Sequence, residues 1–191
     1  MNATVPITCA MAVGPVALAE LHRCLGLPAD YGQRRGLALQ AEATIDSLVT
    51  IAYTEDGRAI QLAPPAAAAW MSLKRAADAA AIQLIPVSGF RSITRQTEII
   101  RGHLASGRPL DDILRLVAAP GYSEHHTGHA VDLTTPDDPP LDAGFALTPA
   151  FTWLNTHACR FGFLMSFAKN NPHGIAYEPW HWCWRPSAET T

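Results

Sequence analysis

The chain has 191 residues, enough for one domain with a full hydrophobic core but short for two. Hydrophobic residues make up 48% of it and charged residues 16%, which indicates a folded globular protein and excludes a disordered one. The net charge of −3 argues against the strongly basic surface by which proteins bind nucleic acid or an anionic membrane.

The N-terminal segment, residues 1–44, is predicted to be partly helical and to pack on the domain. Its first 19 residues are uncharged, but no Lys or Arg precedes Arg23, and prolines and a glycine interrupt the apolar run. A secretory signal begins with basic residues, so we expect an ordered segment here, with an export signal as the alternative and no membrane span. Apolar spacing predicts a helix over Val16–Leu25, followed by a polar connection over 28–36.

Four cysteines, Cys9, Cys24, Cys159 and Cys183, are scattered without a C-x-x-C pair. A Cys9–Cys24 disulfide and four free or buried thiols are both compatible with this spacing. Cysteine usage therefore leaves the redox compartment open.

A β-hairpin and a long helix are predicted next. Strand patterns over Ser47–Tyr53 and Ala59–Leu62 flank a turn sequence with Gly57 at the strained position. Two prolines then open an alanine-rich helix over 64–81. The short apolar run Ile82–Val87 predicts a buried strand.

The sequence after that strand predicts a turn into a helix with Ser92 as its N-cap. Arg91 and Gln96 lie five positions apart across this turn, which can direct both side chains into a cleft at the end of the strand. The alternative is that Arg91 forms a surface ion pair and Gln96 is solvated.

The remaining segments are predicted as helices, strands and the loops between them. In chain order, the predicted elements are a helix Leu110–Ala118, a loop Pro120–Gly128, a strand His129–Leu133, a loop Pro136–Gly144, a helix from the Thr148 cap to about Gly162, a strand Phe163–Phe167, a loop Ala168–Gly174 and a strand Tyr177–Trp184. Segregated helix-rich and strand-rich parts predict an α+β fold, with a central, mainly antiparallel sheet flanked by helices.

Two stretches, S-E-H-H-T-G-H-A-V-D (123–132) and Y-E-P-W-H-W (177–182), hold a candidate zinc site. Two histidines and one aspartate form a three-ligand set that leaves a fourth coordination position open, as in catalytic zinc sites. The zinc site is therefore predicted to lie on the central sheet, to which both stretches contribute strands.

Three histidines of the first stretch compete as ligands. His125 and His129 are four apart, as in H-E-x-x-H, but the glutamate of that motif is missing and Gly128 weakens a helix there. If the segment is a loop entering a strand, Asp132 points away from the side of His129, and His125 can turn toward Asp132. Parity thus favours His125 and makes His126 and His129 outer or surface groups.

The second stretch has strand periodicity, with three tryptophans alternating with His181 and Cys183. The tryptophan face is most simply core. Parity places Glu178 on that face, away from His181, but Pro179 forbids a regular central strand. A bend at Pro179 can bring Glu178 to the metal; without it, Glu178 is an ordinary edge residue.

Three motifs in this order, S-G-F-R-S-x-x-x-Q (88–96), S-x-H-x-x-G-x-A-x-D (123–132) and E-P-W-H-W (178–182), resemble those of the VanY-type D-alanyl-D-alanine carboxypeptidases. These are zinc peptidases of bacterial cell-wall peptides, related in fold to hedgehog signalling domains and lysostaphin-type enzymes. The resemblance divides the chain into the N-terminal segment, a zinc peptidase domain over 45–185 and a C-terminal tail over 186–191.

The resemblance implies that His125, Asp132 and His181 bind Zn2+. It also implies that Glu178 is the catalytic base, which takes a proton from the attacking water and passes it to the leaving amine.

By the same resemblance, Arg91, Gln96 and Ser123 face the substrate. Arg91 either stabilises the developing oxyanion or clamps the terminal carboxylate of the substrate. Two positions depart from the pattern: many relatives continue the last motif with Arg and Tyr, where this chain has Cys183 and Trp184. Any role of that arginine is therefore in doubt. Arg185 follows two residues beyond Cys183.

The expected function is hydrolysis of the terminal D-alanine bond of peptidoglycan stem peptides, with D,D or L,D specificity open. The alternatives are an endopeptidase of the same fold and a zinc-bearing binding domain without turnover. We expect a monomer whose partners are stem peptides or muropeptides. That substrate class suggests the cell envelope or periplasm, whereas the lack of a convincing signal peptide leaves cytoplasmic muropeptide processing open.

Overall fold

The computed structural model describes residues 15–136 and 138–186. The start of the N-terminal segment with Cys9, and most of the C-terminal tail, lie outside the described residues. The helices are α1 Pro15–Leu25, α2 Tyr31–Arg35, α3 Pro64–Ala79, α4 Ile93–Ala105, α5 Leu110–Leu116 and α6 Pro149–His157. The strands are β1 Val49–Tyr53, β2 Ala59–Leu62, β3 Ile85–Ser88, β4 Ala130–Thr134, β5 Phe163–Met165 and β6 His181–Trp184. Short 3-10 turns cover Ile45–Ser47, Glu124–Thr127, Ala143–Leu147 and Ala158–Phe161.

A four-stranded antiparallel sheet in the order β3-β4-β6-β5 carries the site. Its register places Ser88 opposite Asp132, and Asp132 opposite His181. The end of β3 and two of the predicted ligands therefore lie in one row across the sheet. The predicted α+β fold, with an antiparallel sheet flanked by helices, is confirmed.

The predicted hairpin β1–β2 forms a second, separate two-stranded sheet next to the end of β3. The Phe90 N–H donates a hydrogen bond to the Gln61 carbonyl over 2.7 Å. A Cβ on Gly89 would lie only 2.5 Å from that same oxygen, so only glycine allows this approach. The hairpin thus fixes the path of the segment that leads to Arg91.

The main core lies between the four-stranded sheet and the helices α3 and α6. Its buried members include Leu62, Trp70, Leu73, Val131, Leu133, Leu154, Phe163 and Trp182. Alternation along β4 and β6 turns one side of each strand toward this core and leaves the other side for polar groups. The sheet can therefore hold an apolar core and a polar site on opposite faces.

A second apolar cluster packs α1 and α2 onto α4 and α5. The prediction of a polar connection over 28–36 is wrong, because Tyr31–Arg35 is helical and Tyr31 is buried. The Tyr31 hydroxyl accepts a hydrogen bond from the Ala119 N–H over 3.2 Å. This burial depends on partners some 90 residues away, which the local polarity of the segment cannot show.

Some helices and strands begin or end at residues other than those predicted, because tertiary contacts determine their limits. The run predicted as a buried strand over Ile82–Val87 starts only at Ile85, which is 40% exposed because β3 is an edge strand. The predicted caps are confirmed, since the side chains of Ser92 and Thr148 accept hydrogen bonds from backbone N–H groups of the first turns of α4 and α6. None of the helices in the described part of the chain combines the length and apolarity needed to cross a bilayer.

Candidate metal centre and active-site cleft

The loop before β4 carries His125 on a 3-10 turn, Glu124–Thr127, where the sequence predicted an open loop. Gly128 ends the turn with φ +69°, and a Cβ there would lie 2.8 Å from the Ala63 backbone nitrogen. Glycine is therefore required by both conformation and space. This packing presses the His125 turn against the start of α3.

The three predicted metal ligands come together on the polar face of the sheet. Ligand atoms of His125, Asp132 and His181 all lie within 4.8 Å of one another, and all three residues are buried. The Asp132 Oδ2 atom lies 3.2 Å from His125 Nε2, and Asp132 Oδ1 lies 2.9 Å from His181 Nδ1. Neighbouring strands supply Asp132 and His181, while the 3-10 turn supplies His125.

Outer hydrogen bonds determine which nitrogen each histidine turns toward the centre. His125 Nδ1 donates to the Gly89 carbonyl over 2.7 Å, so its Nε2 faces Asp132. His181 Nε2 donates to Glu124 Oε2 over 2.9 Å, so its Nδ1 faces Asp132. Two imidazole nitrogens and a carboxylate converging at this spacing form a donor set that fits zinc.

The charges of the cluster also fit a cation. Burial would raise the pKa of Asp132, but electrostatic attraction and hydrogen bonds from His125 and His181 outweigh the effect of burial. They hold the pKa of Asp132 well below its usual range. Burial likewise works against a charge on His181, yet hydrogen bonds to Asp132 and Glu124 raise its pKa to about 10. The carboxylates of Asp132 and Glu124 both contact His181 and therefore require a positive charge between them, which a proton on His181 or a metal ion can supply.

The two competing histidines do not join the cluster. His126 is fully buried; its Nδ1 donates to the Arg91 carbonyl over 2.6 Å and its Nε2 accepts from the Gly121 N–H over 3.0 Å. Burial lowers the pKa of His126 to about 4, so this bridge is neutral. His129 is half-buried with its ring edge-on to Trp184, the ring centroids 5.2 Å apart.

The bend predicted at Pro179 is present. The His181 N–H donates to the Glu178 carbonyl over 3.1 Å, and the Glu178 N–H donates to the Phe167 carbonyl over 3.0 Å. This turn places the Glu178 side chain in the wall of the same cleft as the metal cluster. Burial, the largest cause, raises the pKa of Glu178 to about 7, so its carboxylate can accept a proton near neutral pH.

Arg91 reaches the cluster from the turn after β3. Its guanidinium donates to Gln96 Oε1 over 3.2 Å and to Ser88 Oγ over 3.1 Å, and lies 3.7 Å from Asp132 Oδ2. Gln96 is only 1% exposed, and its Nε2 donates to the Ala118 carbonyl over 2.6 Å. Gln96 therefore braces Arg91 instead of being solvated, and its contact with substrate stays a prediction.

A cleft of about 460 Å3 opens over these groups, within the size range of small-ligand sites. Ser123, Glu178 and Arg91 line it beside the metal cluster. Apolar side chains form much of the remaining wall: Ile99, Leu116, Val117, Leu141, Phe167 and Ile175. The cleft thus combines polar groups next to the metal cluster with apolar walls further out.

The sequence reasoning missed Glu124, although it directly precedes His125. Burial would raise the pKa of Glu124, but its hydrogen bonds with His181 and Ser166 and the charge of Arg185 bring that pKa to about 2. These partners lie 42 to 61 residues further along the chain, where spacing within one motif gives no signal.

Comparisons with known proteins identify the family of this chain. The sequence model of the VanY family, described as D-alanyl-D-alanine carboxypeptidase, matches residues 59–187. The Bacillus subtilis protein YodJ is 31% identical over 172 residues, which cover 86% of this chain and 58% of YodJ. A D-alanyl-D-alanine carboxypeptidase of Enterococcus faecalis is 32% identical over 117 residues, which cover 56% of this chain and 42% of that protein. The chain thus spans 58% or less of the length of these two relatives.

Two solved structures are similar over most of the chain. The LdcB LD-carboxypeptidase has 29% identity and a TM-score of 0.67, covering 76% of this chain and 70% of LdcB. VanYB, solved in complex with D-alanine-D-alanine, has 25% identity and a TM-score of 0.58, covering 78% of this chain and 83% of VanYB. The family match contains every predicted ligand, the Glu178 turn and the Arg91 turn. The chain belongs to the VanY family of D-alanyl-D-alanine carboxypeptidases.

Proposed function

We propose that this protein is a zinc-dependent carboxypeptidase that removes the terminal D-alanine from peptidoglycan stem peptides. The observation that carries the proposal is one cleft that gathers the His125–Asp132–His181 cluster with Glu178 and Arg91. Family membership supports the reaction class, and the D-alanine-D-alanine bound to VanYB supports the substrate class.

The three clustered side chains would hold the zinc ion. When bound, zinc supplies a Lewis acid that polarises the scissile carbonyl and makes the attacking water more acidic. Glu178 takes the proton from that water and passes it to the leaving amine. Its position at the turn before β6, with the backbone tied to Phe167, keeps the carboxylate beside the cluster.

Arg91 supplies a fixed positive charge next to the metal cluster. Its bonds to Gln96 and Ser88 hold the guanidinium before substrate arrives, so little reorganisation is needed on binding. A guanidinium so placed can bind the terminal carboxylate of a peptide or stabilise the oxyanion. Binding of the terminal carboxylate selects the ends of peptide chains, which a carboxypeptidase requires and an endopeptidase does not.

The test is incubation of the zinc-loaded protein with a stem pentapeptide ending in D-Ala-D-Ala and with the tetrapeptide ending in a single D-Ala. Loss of one alanine by mass is expected, from the pentapeptide for D,D specificity or from the tetrapeptide for L,D specificity. Internal cleavage would instead indicate an endopeptidase. A protein that binds zinc but cleaves neither peptide would be a binding domain, and the proposal would be wrong.

A further inference from the structure

We infer that Glu124 is a positioning residue for the metal centre, which orients His181 and is itself held by Ser166 and Arg185. The inference deepens the proposed function, because it concerns the same zinc site. It assigns a role to a carboxylate outside the three-ligand cluster.

The Glu124 carboxylate is bound on several sides. Its Oε2 accepts hydrogen bonds from His181 Nε2 over 2.9 Å and from Ser166 Oγ over 2.6 Å, while its Oε1 is paired with the Arg185 guanidinium. The Glu124 side chain is only 11% exposed. These contacts tie the turn that carries His125 to the ends of β5 and β6.

The bond to Glu124 determines how His181 presents its ring. A carboxylate oxygen can only accept, so the Glu124 bond keeps a proton on Nε2. A metal ion would then take the place of the Nδ1 proton that bonds Asp132, and would use the lone pair of Nδ1. The Phe167 ring packs 5.0 Å from the His181 ring and limits its rotation. A carboxylate on the outer nitrogen also makes the imidazole a more basic ligand.

Arg185 reaches Glu124 from beyond the end of β6. Side chains two apart on a strand share a face, and the Cys183 thiol lies beside Glu124, so Arg185 extends along the same side. The Arg185 N–H donates to the Gly162 carbonyl over 2.8 Å, which fixes the backbone there. Arg185 is half exposed, so it balances the buried carboxylate while its own charge remains partly hydrated.

The experiment is to measure zinc affinity by competition with a chelator of known affinity. Glu124→Gln keeps the side-chain volume, but its amide can donate to Nε2 and move the imidazole proton to Nδ1, where it blocks the metal. We expect about 10- to 100-fold weaker zinc binding, the usual effect of losing an outer partner of a ligand histidine. The matched control is Glu98→Gln, which alters an exposed glutamate paired with Arg95 and should leave zinc affinity unchanged.

Two further measurements keep the inference testable if Glu124→Gln folds poorly. Arg185→Gln and Ser166→Ala each remove one support of the carboxylate and should weaken zinc binding by a smaller factor. Nitrogen-15 NMR of the zinc-loaded wild type should show His181 protonated at Nε2. A proton on Nδ1, or zinc affinity unchanged in all three variants, would overturn the inference.

Hydrolysis and zinc affinity separate this inference from the proposed function. If the Glu124 variant loses zinc affinity but the wild type cleaves no stem peptide, the inference stands and the proposed function fails. If the wild type cleaves and the variant keeps full zinc affinity, the inference alone fails. A wild type that takes up no zinc contradicts both.

Discussion

Replacing Glu178 with glutamine keeps the size and shape of the side chain but removes the group that accepts a proton. The backbone of residue 178 should stay in place, because its N–H is bonded to Phe167 and its carbonyl to His181. Glu178 is outside the three-residue metal cluster, so zinc content should not change. The substitution therefore isolates the acid–base step, whose loss should lower kcat by about 10²- to 10⁴-fold.

The pH profile gives a second, independent magnitude. Burial raises the pKa of Glu178 from its ordinary 4.5 to about 7, so the carboxylate becomes protonated as the pH falls through that pKa. The protonated form cannot act as the base, and kcat/KM should fall about tenfold for each pH unit below the pKa. The positive charge of a bound metal lowers this pKa, so the midpoint in the zinc-loaded protein should lie below about 7.

The assay measures zinc content, kcat and kcat/KM for wild type, Glu178→Gln and the exposed control Glu98→Gln across the acidic and neutral range. The expected result is that Glu178→Gln alone loses turnover and the acidic limb while keeping its zinc. An unchanged kcat in Glu178→Gln with zinc retained would refute the role of this residue as base.

Three further predictions rest on other parts of the site. Alanine at any one of the three predicted metal ligands should strip zinc, measured by metal analysis, whereas His129→Ala should retain it; the reverse result would contradict the ligand assignment. Arg91→Ala should lower turnover by about 100-fold or more, the usual effect of losing a preorganised donor, and should change thermal stability little. A folding defect with normal activity per folded molecule would instead mean that Arg91 has a structural role. Gly89→Ala should lower the free energy of unfolding in urea by about 1–3 kcal/mol, because its Cβ would meet the Gln61 carbonyl. The control is Gly102→Ala in helix α4, where nothing lies within 4 Å of the new Cβ, so this variant should be neutral or stabilising. Equal stabilities of the two variants would refute the argument.

Much of the site could be predicted because its functional residues lie in short sequence motifs. Strand parity indicated that Asp132 and His129 point to opposite sides, and the structure brings Asp132, not His129, to His125. Pro179 indicated the bend that brings Glu178 into the cleft. Both inferences needed only the local backbone, which a few consecutive residues determine.

What could not be predicted depends on contacts between distant segments. Gln96 could be solvated or functional by spacing alone, and only the fold shows it buried against the Ala118 carbonyl. Many relatives have arginine where this chain has Cys183, and the structure shows Arg185 paired with Glu124, which in turn bonds the outer nitrogen of His181. Such pairings span tens of residues, so a single sequence carries no periodic signal for them.

The most direct measurement is a zinc titration of D-alanine release. Protein stripped of metal is given zinc in increments, and release of D-alanine from the stem peptide that the wild type cleaves is followed at each step. The account predicts no release without zinc and a rate that rises linearly until one zinc ion is bound per chain. Full release by the stripped protein, or no release at one bound zinc, would contradict it.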